Sequence, residues 1–551
     1  MHARASRFRP QNDRTTFNQW GKVAERVPAV PRRIVSIHDV FSRLKVRGSL
    51  MSRCSWLRCF LQSGLLLLVG FARAAMARDL FVDPVAGDDR ASGLAREVTG
   101  KDGPVKTIAR GVRLAGGGDV VHLAKAVYRE SIVLHDKVGE PGRPIIVDGH
   151  DSTLEGSDPL RIDEWREVSP GLWKCAALFD KVFRLDMAVI DRWFFVFDGR
   201  MQLMNRSSKG PSQPLKQSDQ LLPGEWTFVK DEVRSPVFDK AKYGEQIYGD
   251  FFIRLAPGMP LADARISAPI RSSGVTLGGD SSHVVVKNVT STHVYNDGFN
   301  IHGKTRECLF ENIAAIECGD DGFSAHDDCQ CRIDGFTSIG NSTGLCDTGD
   351  SVTDYSHVFI KDCVGHDLYF LDTNRHSIRD SVVLSSAWRA LAIIGRETTD
   401  PAGVPRACSV ELDNVLIRRE QGSSEIRVTK NSSLTARHVT LLGLHLQPTG
   451  GTVSLHHSVL AGTPASQVTI WKDVTWRADH NFYDIEFLRL GKTFYSAKTF
   501  ADFQLASGQD AASRYEPVPI QAGLPAVPAG VGAEPGMVAE LIHTKRKDLG
   551  R

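Results

Sequence analysis

Three features are scarce in this chain of 551 residues, and each absence argues against a class of protein. The central sequence shows no helical periodicity, which argues against a helical bundle. The hydrophobic segment at residues 60–71 is too short to span a bilayer comfortably. No Cys-x-x-Cys pair has a matching partner pair, so a structural zinc site is poorly supported.

The short apolar segment belongs to a pattern typical of a secretory signal peptide. Arg53 and Arg58 precede it, and Ala75-Met76-Ala77 follows it as a small-residue cleavage motif. We therefore predict a signal peptide at residues 51–77, cleaved near Ala77, with an uncleaved membrane anchor as the weaker alternative. Residues 1–50 are interpreted as an extension upstream of a true start at Met51. The mature protein is then expected to be secreted, periplasmic or at the cell surface, without a stable membrane span.

Charge and cysteine content are consistent with an exported protein. From Arg78 onward the chain has 53 basic and 62 acidic residues, and this acidic balance argues against nucleic acid as a partner. Export permits disulfides between the cysteines that remain after cleavage. These eight are Cys175, Cys308, Cys318, Cys329, Cys331, Cys346, Cys363 and Cys408.

The central sequence aligns with itself at a period of 22–24 residues. "VVVKNVTSTHVYNDGFNIHG", "CLFENIAAIECGDDGFSAHD" and "CRIDGFTSIGNSTGLCDTGD" each contain short alternating apolar runs separated by Asn, Asp and Gly. Leucine-rich repeats have a similar period, but their spaced leucines are missing. The pattern therefore predicts an all-β fold, a parallel β-helix with right-handed coils that share one core.

Attachments to the repeat can also be predicted. Ile108, Val112 and Ala115 lie on one helical face, which predicts a helix that caps the open N-terminal end. Strand-like pieces without the period predict a small antiparallel β domain inserted at residues 157–268, which either lines a substrate groove or serves only to stabilise or dimerise the molecule. The expected plan is a cap with first coils at 78–156, this insert, the main β-helix at 269–515 and a flexible tail at 516–551.

The N-terminal motifs resemble those of a known superfamily. "FVDPVAGDD", "PVKTIARG" and "GDVVHLAKAVYRESI" occur in the order seen in secreted bacterial right-handed parallel β-helix proteins, a superfamily that includes pectate lyases, polygalacturonases and related carbohydrate-active enzymes. The insert is similar to those of several β-helix glycoside hydrolases. The resemblance covers roughly residues 79–155 and 270–515, and implies a polysaccharide or oligosaccharide as the partner.

Stacking the repeats predicts which side chains are neighbours, because residues one coil apart lie about 4.8 Å apart. Gly298 and Gly322 set the register. The predicted columns are Asp297, Asp321, Thr343, Asp367 and Arg389; then Asn296, Asp320, Ser342, His366 and Trp388; and then His302, His326, Thr348 and Asp372. Cys308 is expected to stack on Cys331, and this stacking favours two thiols over a disulfide.

Carboxylates at this spacing are suited to acid/base catalysis. Repulsion between neighbouring carboxylates raises the pKa of one of them, so that one donates a proton while the other stays anionic. Asp297 and Asp321 have the spacing of a retaining glycosidase, whereas Asp321 and Asp367 lie near the inverting distance. Arg389 is suited to binding a substrate carboxylate. The leading hypothesis is an exported glycoside hydrolase with catalytic residues Asp297, Asp320, Asp321, His326 and Asp367, and with substrate-binding residues His302, His366, Trp388, Arg389 and Asp327.

Two family motifs are partly matched. Asn296-Asp297, Asp320-Asp321, Gly365-His366 and Arg389 resemble the active-site series of polygalacturonases, although Asn296 and Asp297 are adjacent and Ala390-Leu391 replace the family's Ile-Lys. His326-Asp327 matches the end of the Asp-Pro-His-Asp/Glu motif of alginate C5-epimerases, which implies that His326 transfers a proton.

Other interpretations remain open. Asp320, Asp321, Asp327 and Asp328 supply the oxygen ligands that calcium prefers, which suits a polysaccharide lyase or uronate epimerase. No lysine occupies the columns as the base of such a lyase, and the leading hypothesis requires no cofactor. A third alternative is a non-catalytic carbohydrate-binding or surface protein, in which Asp and Asn serve only as turn residues.

Overall fold

The computed structural model describes residues 76–175, 187–231, 247–400, 402–420, 422, 424–462 and 466–548. The predicted upstream extension and nearly all of the predicted signal peptide lie outside these ranges. None of the helices in the described ranges is long and apolar enough to cross a membrane.

The main body is a right-handed parallel β-helix, as predicted. Successive coils pair in parallel, with Val285 beside Leu309 and Leu309 beside Arg332. In the described residues, 18 strands form one sheet, here called sheet I, and 12 strands form a second, here called sheet II. Several strands of sheet I bend at a residue with left-handed backbone, such as Asn288 or Asn312, so sheet I covers two sides of the coil.

The strands of both sheets follow the repeat. Sheet I consists of Asp79–Val82, Val120–Leu123, Val127–Tyr128, Ile145–Glu155, Val284–Thr292, Cys308–Ile316, Gln330–Ile339, Val352–Ser356, Phe359–Lys361, Arg375–Ser385, Cys408–Arg419, Ser432–Arg437, Thr440–Leu442, Gly451–His456, Val459–Ala461, Val474–Asp479, Phe482–Asp484 and Arg514–Tyr515. Sheet II consists of Ile132–His135, Val275–Gly278, Phe299–Ile301, Asp321–Ala325, Thr343–Asp347, His366–Asp372, Arg389–Gly395, Ser424–Val428, Leu444–Pro448, Gln467–Ile470, Leu488–Leu490 and Thr493–Tyr495.

Apolar side chains fill the interior of the coils. The rings of Phe299 and Phe323 stack at 6.0 Å, and Leu345 continues their column. Cys308 lies beside Cys331, as expected, and all eight cysteines of the described chain are buried free thiols. Because each coil buries its apolar side only against its neighbours, this core extends along the whole β-helix.

The predicted capping helix is present at Ile108–Leu114, here α1. The Thr107 side chain caps it by accepting a hydrogen bond from the backbone N–H of Arg110 at 3.1 Å. Ile108 and Val112 are buried in the core of the first coils. Helix α1 therefore covers the apolar end that the first coil would otherwise expose.

Two small antiparallel sheets form the insert, in agreement with the predicted β domain. Its core is rich in aromatic side chains, including Trp193 and Phe251, and Tyr295 from the β-helix packs against it. The two sheets consist of Ser157–Pro159, Phe195–Phe197, Arg200–Gln202 and Ile266–Pro269, and of Arg166–Ser169, Leu172–Cys175, Trp226–Lys230 and Gly249–Arg254. Short helical segments are Ile162–Glu164, Met187–Asp191 (α2), Ser218–Gln220 and Leu261–Asp263.

The C-terminal region corrects the prediction of a flexible tail at 516–551. Helix Phe500–Ser507 (α3) follows the short segment Ala497–Thr499, and Phe503 is buried in the β-helix core. Helix Pro535–Asp548 (α4) packs Val538 and Leu541 against apolar side chains on the outside of sheet I. The abundance of Pro, Ala and Gly concealed this apolar face. Two hairpins complete the described chain, formed by Thr398–Thr399 with Pro405–Arg406 and by Ile520–Gln521 with Leu524–Pro525.

Candidate active site

Three carboxylates converge where two strands of sheet II begin. One carboxylate oxygen from each of Asp297, Asp320 and Asp321 lies within 4.8 Å of the others, and all three residues are buried. Asp297 accepts hydrogen bonds from the Nδ2 of Asn296 at 2.9 Å and the backbone N–H of Asp321 at 3.2 Å. The predicted stacking of Asp297 on Asp321 is thus present, with Asp320 as the third member. We call these three residues the carboxylate cluster.

The glycines that follow Asp297 and Asp321 allow this arrangement. Gly298 and Gly322 face the interior of the coil, where a Cβ atom would lie 2.6 Å from Ala315 Cβ or from Ser338 Oγ, respectively. Those distances are too short for any side chain. The backbone therefore approaches the core closely at these positions, and the preceding aspartate faces outward.

The insert supplies positive charge to the carboxylate cluster. Lys209 Nζ lies 2.5 Å from Asp320 Oδ1 and 2.6 Å from Asp321 Oδ1. A guanidinium nitrogen of Arg192 lies 3.0 Å from Asp320 Oδ2, and the Ser208 hydroxyl also donates to Asp320. The loop with Lys209 rests on the β-helix through a hydrogen bond of 3.0 Å between Ser207 and Ser342.

These contacts separate the pKa values of the three aspartates. Burial disfavours the ionised form of each, but Lys209 and Arg192 outweigh it at Asp320, whose pKa falls below its usual range. Burial and the negative charge of Asp320 raise the pKa of Asp297 to about 7. The same causes raise the pKa of Asp321 well above its usual value. The pKa of Lys209 is raised well above 10.5, because the aspartates outweigh the effect of its burial. The cluster therefore combines a carboxylate that stays ionised with two carboxyl groups that keep their protons to a higher pH than usual.

The structure corrects the predicted position of Asp367. His366, and not Asp367, pairs with Thr343, because this coil is one residue shorter than the spacing used to align it. Asp367 takes the inward-facing position of Gly344 and is fully buried. Burial raises the pKa of Asp367 to about 7, an effect that Ser385 and Arg419 only partly offset. Asp367 therefore does not face the carboxylate cluster, and the proposed inverting pair of Asp321 and Asp367 is wrong.

The predicted substrate-binding residues beyond Thr343 lie on the coils that follow the carboxylate cluster. His366 pairs with Arg389, which retains its predicted column because the next coil is one residue longer than expected. His366 stacks on Tyr369 at 4.2 Å, and burial lowers the pKa of His366 to about 3. The Arg389 guanidinium lies 3.7 Å from the Trp388 ring centre and pairs with Glu425 at 2.7 Å. Trp388 remains 43% exposed.

The two predicted histidine neighbours stack one coil apart. The rings of His302 and His326 lie 4.3 Å apart, and His326 Nε2 is 2.7 Å from Ser324 Oγ. Burial lowers the pKa of His326 to about 3, with a smaller contribution from His302. His326 is therefore neutral over the ordinary pH range. It lies at the far end of strand Asp321–Ala325 from the carboxylate cluster, roughly 15 Å along the strand.

The predicted calcium ligands do not form one group. Asp320 and Asp321 belong to the carboxylate cluster, with Lys209 Nζ between them. Asp327 is largely exposed at the other end of the strand, where it accepts a hydrogen bond from Gly303 N–H, and Asp328 pairs with Arg306 at 2.5 Å. If the site holds a cation other than the Lys209 ammonium, its ligands would be carboxylate oxygens of Asp297, Asp320 and Asp321.

Sequence reasoning missed Lys209, Arg192 and Ser208. They belong to the insert and lie more than 100 residues from Asp320 along the chain. No repeat register connects the two segments. The loop sequence "RSSKGPS" carries small polar residues, but nothing in it indicates which coil it contacts.

No family model matches the chain, and no curated protein sequence matches it. Its fold is similar to several solved structures. One is a complex of XylC with xylose, with 12% identity and a TM-score of 0.43, covering 79% of this chain and 82% of that one. A second, a glycoside hydrolase, has 10% identity, a TM-score of 0.38 and coverage of 79% and 99%. A third, the GH136 lacto-N-biosidase from Eubacterium ramulus, has 11% identity, a TM-score of 0.31 and coverage of 84% and 70%. Such identities and scores do not assign an activity to this chain.

Proposed function

We propose that the protein is an exported glycoside hydrolase that cleaves a polysaccharide or oligosaccharide at the carboxylate cluster. The observation that carries the proposal is the separation of pKa values within one cluster, with an anionic Asp320 beside Asp297 and Asp321, whose pKa values are raised. Glycoside hydrolysis requires a carboxylic acid and a carboxylate together at neutral pH.

Each carboxyl group has a proposed role. Asp321 in its acid form protonates the glycosidic oxygen, so that the leaving sugar departs as an alcohol. Asp320, held in place by Arg192 and Lys209, stabilises the positive charge that develops on the sugar ring. A water molecule then adds to the anomeric carbon and gives a proton to Asp321, which restores its acid form. Asp297 lies within 4.8 Å of both and is the residue that shares a proton with Asp321. The short separation of these carboxyl groups suits a retaining mechanism. An inverting mechanism needs roughly 6.5–9.5 Å between its two carboxyl groups, to make room for a water molecule.

The surface of the coils that follow the carboxylate cluster is suited to binding a sugar chain. Trp388 is 43% exposed and offers apolar surface to a sugar, while Arg389 stacks on its ring and His366 lies beside it. Because these residues stack coil after coil, the binding surface follows the long axis of the β-helix. A linear glycan fits this geometry.

A polysaccharide lyase or uronate epimerase remains the second candidate, and Lys209 bears on it. A lysine now lies 2.6 Å from Asp321, where the columns alone showed none. To act as the base, Lys209 would need an unprotonated amine, but its raised pKa keeps it charged. Lys209 therefore favours the hydrolase. The neutral imidazole of His326 is the base that the second candidate would use.

A panel of neutral and acidic glycans tests the proposal. A hydrolase releases new reducing ends, a lyase releases unsaturated products that absorb ultraviolet light, and a binding protein releases neither. On the active glycan we expect Asp321→Asn to lower kcat at least 100-fold, because it removes the proton donor. Asp334→Asn is the matched control, since Asp334 lies on sheet I and pairs with His357. Full activity in Asp321→Asn would refute the assignment.

A further inference from the structure

A second cluster of ionisable side chains lies on the outside of sheet I, at the first coils of the β-helix. Phe81, His122 and Asp148 are neighbours on three paired strands. Val121 and Leu123 face the core, so His122 between them faces outward. His150 and Asp79 complete the group, which we call the histidine cluster. Its residues lie on coils that precede those of the carboxylate cluster and belong to the other sheet.

The nitrogen and oxygen atoms of the histidine cluster face one another. His122 Nδ1 lies 2.9 Å from His150 Nε2, and His122 Nε2 lies 2.9 Å from Asp79 Oδ1. His150 Nδ1 is 3.7 Å from Asp148 Oδ1. One ligand atom from each of His122, Asp148 and His150 lies within 4.8 Å of the others. Tetrahedral ligands of zinc, with bonds of about 2.0–2.2 Å, lie about 3.4 Å apart, so small side-chain shifts would suffice.

The backbone around His150 differs from that of the other coils. Other coils turn this corner with a single left-handed residue such as Asn288, whereas here Gly149, His150 and Asp151 together oppose Asn288. His150 and Asp151 both have positive φ, 45° and 60°, which costs about 1 kcal/mol or more for each residue. The two additional residues place an imidazole against the neighbouring coil at the expense of local strain.

Each imidazole of the histidine cluster directs one nitrogen at the other imidazole and one at a carboxylate, which is Asp79 for His122 and Asp148 for His150. Asn288 and the His150 backbone N–H donate to Asp148, and Lys287 Nζ lies 3.4 Å from it. A cation bound between the two imidazoles and Asp148 would take the place of the hydrogen bond that His122 and His150 share.

We propose that His122, His150 and Asp148, with Asp79 beside them, bind a transition-metal cation of the zinc type. Imidazole and carboxylate ligands suit zinc, whereas calcium prefers oxygen ligands alone. The exposure of the side chains, 21% for His122 and 43% for His150, leaves the site open to solvent. A bound cation would join three strands at the N-terminal end of the β-helix. This inference does not depend on the proposed hydrolase activity.

Calorimetry of the full chain after EDTA treatment and dialysis tests the site, with zinc chloride as the probe. We expect a zinc site in the wild-type protein and at least tenfold weaker binding in His150→Asn, because asparagine tolerates left-handed backbone but lacks the imidazole. The matched control is His457→Asn. His457 also has positive φ and stacks on His480 at 4.8 Å on the same sheet. This control is expected to retain wild-type affinity.

Thermal unfolding provides an independent readout. Zinc should raise the Tm of the wild type and of His457→Asn, but not that of His150→Asn or His122→Ala. Calcium chloride at the same concentration should have no effect that depends on His150. Equal zinc affinity in His150→Asn and the wild type would overturn the proposal, as would an equal loss in His457→Asn. A metal-free Tm close to that of the wild type confirms that each variant is folded.

Discussion

At the scale of single residues, Asp367 has the clearest measurable consequence. It is a carboxyl group in a position that glycines occupy in neighbouring coils, fully buried, with its pKa raised from 3.8 to about 7. The folded state therefore binds this proton more tightly than the unfolded state. Stability from this group is fully present below about pH 4 and is lost as the pH rises to about 7.

We therefore predict that Asp367→Asn stabilises the protein at pH 8 and leaves stability nearly unchanged at pH 4. The expected gain at pH 8 is roughly 1–4 kcal/mol, because asparagine cannot ionise inside the core. Thermal unfolding from pH 4 to pH 8 measures it. Asp334→Asn is the control: the pKa of Asp334 is lowered, so this variant should gain nothing at pH 8. A pH-independent effect of Asp367→Asn would contradict the placement of its carboxyl group.

The same residue shows how far sequence reasoning reaches. Register between Asp297 and Thr343 follows from two glycines that cannot carry a side chain, so those neighbours were predictable. His366 and Asp367 are adjacent, and a change of one residue in coil length exchanges an outward side chain with an inward one. Nothing in the local sequence distinguishes the two alternatives. For the same reason Leu368, and not Tyr369, lies beside Leu345 in the core, and the Tyr369 ring stacks on His366.

At the scale of structural elements, the insert completes the site, and its lysine is the point to test. Removal of the Lys209 ammonium leaves Asp320 and Asp321 buried with less compensation. We predict that Lys209→Met lowers stability at pH 7 by roughly 3 kcal/mol, because breaking a buried ion pair leaves an unpaired charge. The loss should shrink towards acidic pH as the aspartates become protonated.

Lys216→Met is the matched control for this prediction. Lys216 also pairs with a carboxylate inside the insert, Glu225, but its side chain is 39% exposed, so the expected loss is below about 1 kcal/mol. Chemical unfolding at pH 4.5 and pH 7 compares the two variants. Equal losses of stability in both variants would show that the ion pairs of Lys209 contribute no more than an ordinary surface ion pair.

The insert also marks a limit of sequence reasoning at this scale. Its strands were predictable from short apolar runs and Pro-Gly turns, because those signals are local. The contact of Lys209 with Asp320 depends on how the insert folds back on the β-helix. Such a contact joins segments far apart in the chain, and no periodic pattern records it.

At the scale of the whole molecule, the ends of the β-helix decide whether its core is closed. The N-terminal cap was predictable, since Ile108 and Val112 follow helical spacing. Helix α4 was not predictable, because the composition of residues 516–551 pointed to a tail. Helix α4 instead packs along the side of the β-helix, where Phe359 and Val382 present apolar surface. A long-range apolar surface thus orders a segment whose own sequence signals are weak.

Two adjacent positions in α4 test this packing. Val538 is 2% exposed against sheet I, whereas Ala539 faces solvent. We predict that Val538→Asp lowers stability by about 2–4 kcal/mol, because a carboxylate then replaces an apolar side chain in a dry contact. Ala539→Asp introduces the same charge on the exposed side of the helix, and should change stability by no more than about 0.5 kcal/mol.

Thermal unfolding together with limited proteolysis measures both effects. If α4 covers sheet I, only Val538→Asp should lower the Tm and open cleavage sites within 516–548, because the segment is then released from its contact. If the two variants behave alike, the segment contributes nothing to closing the molecule, and the tail predicted from composition is the better description. The comparison thus decides between a covered and an uncovered side of sheet I.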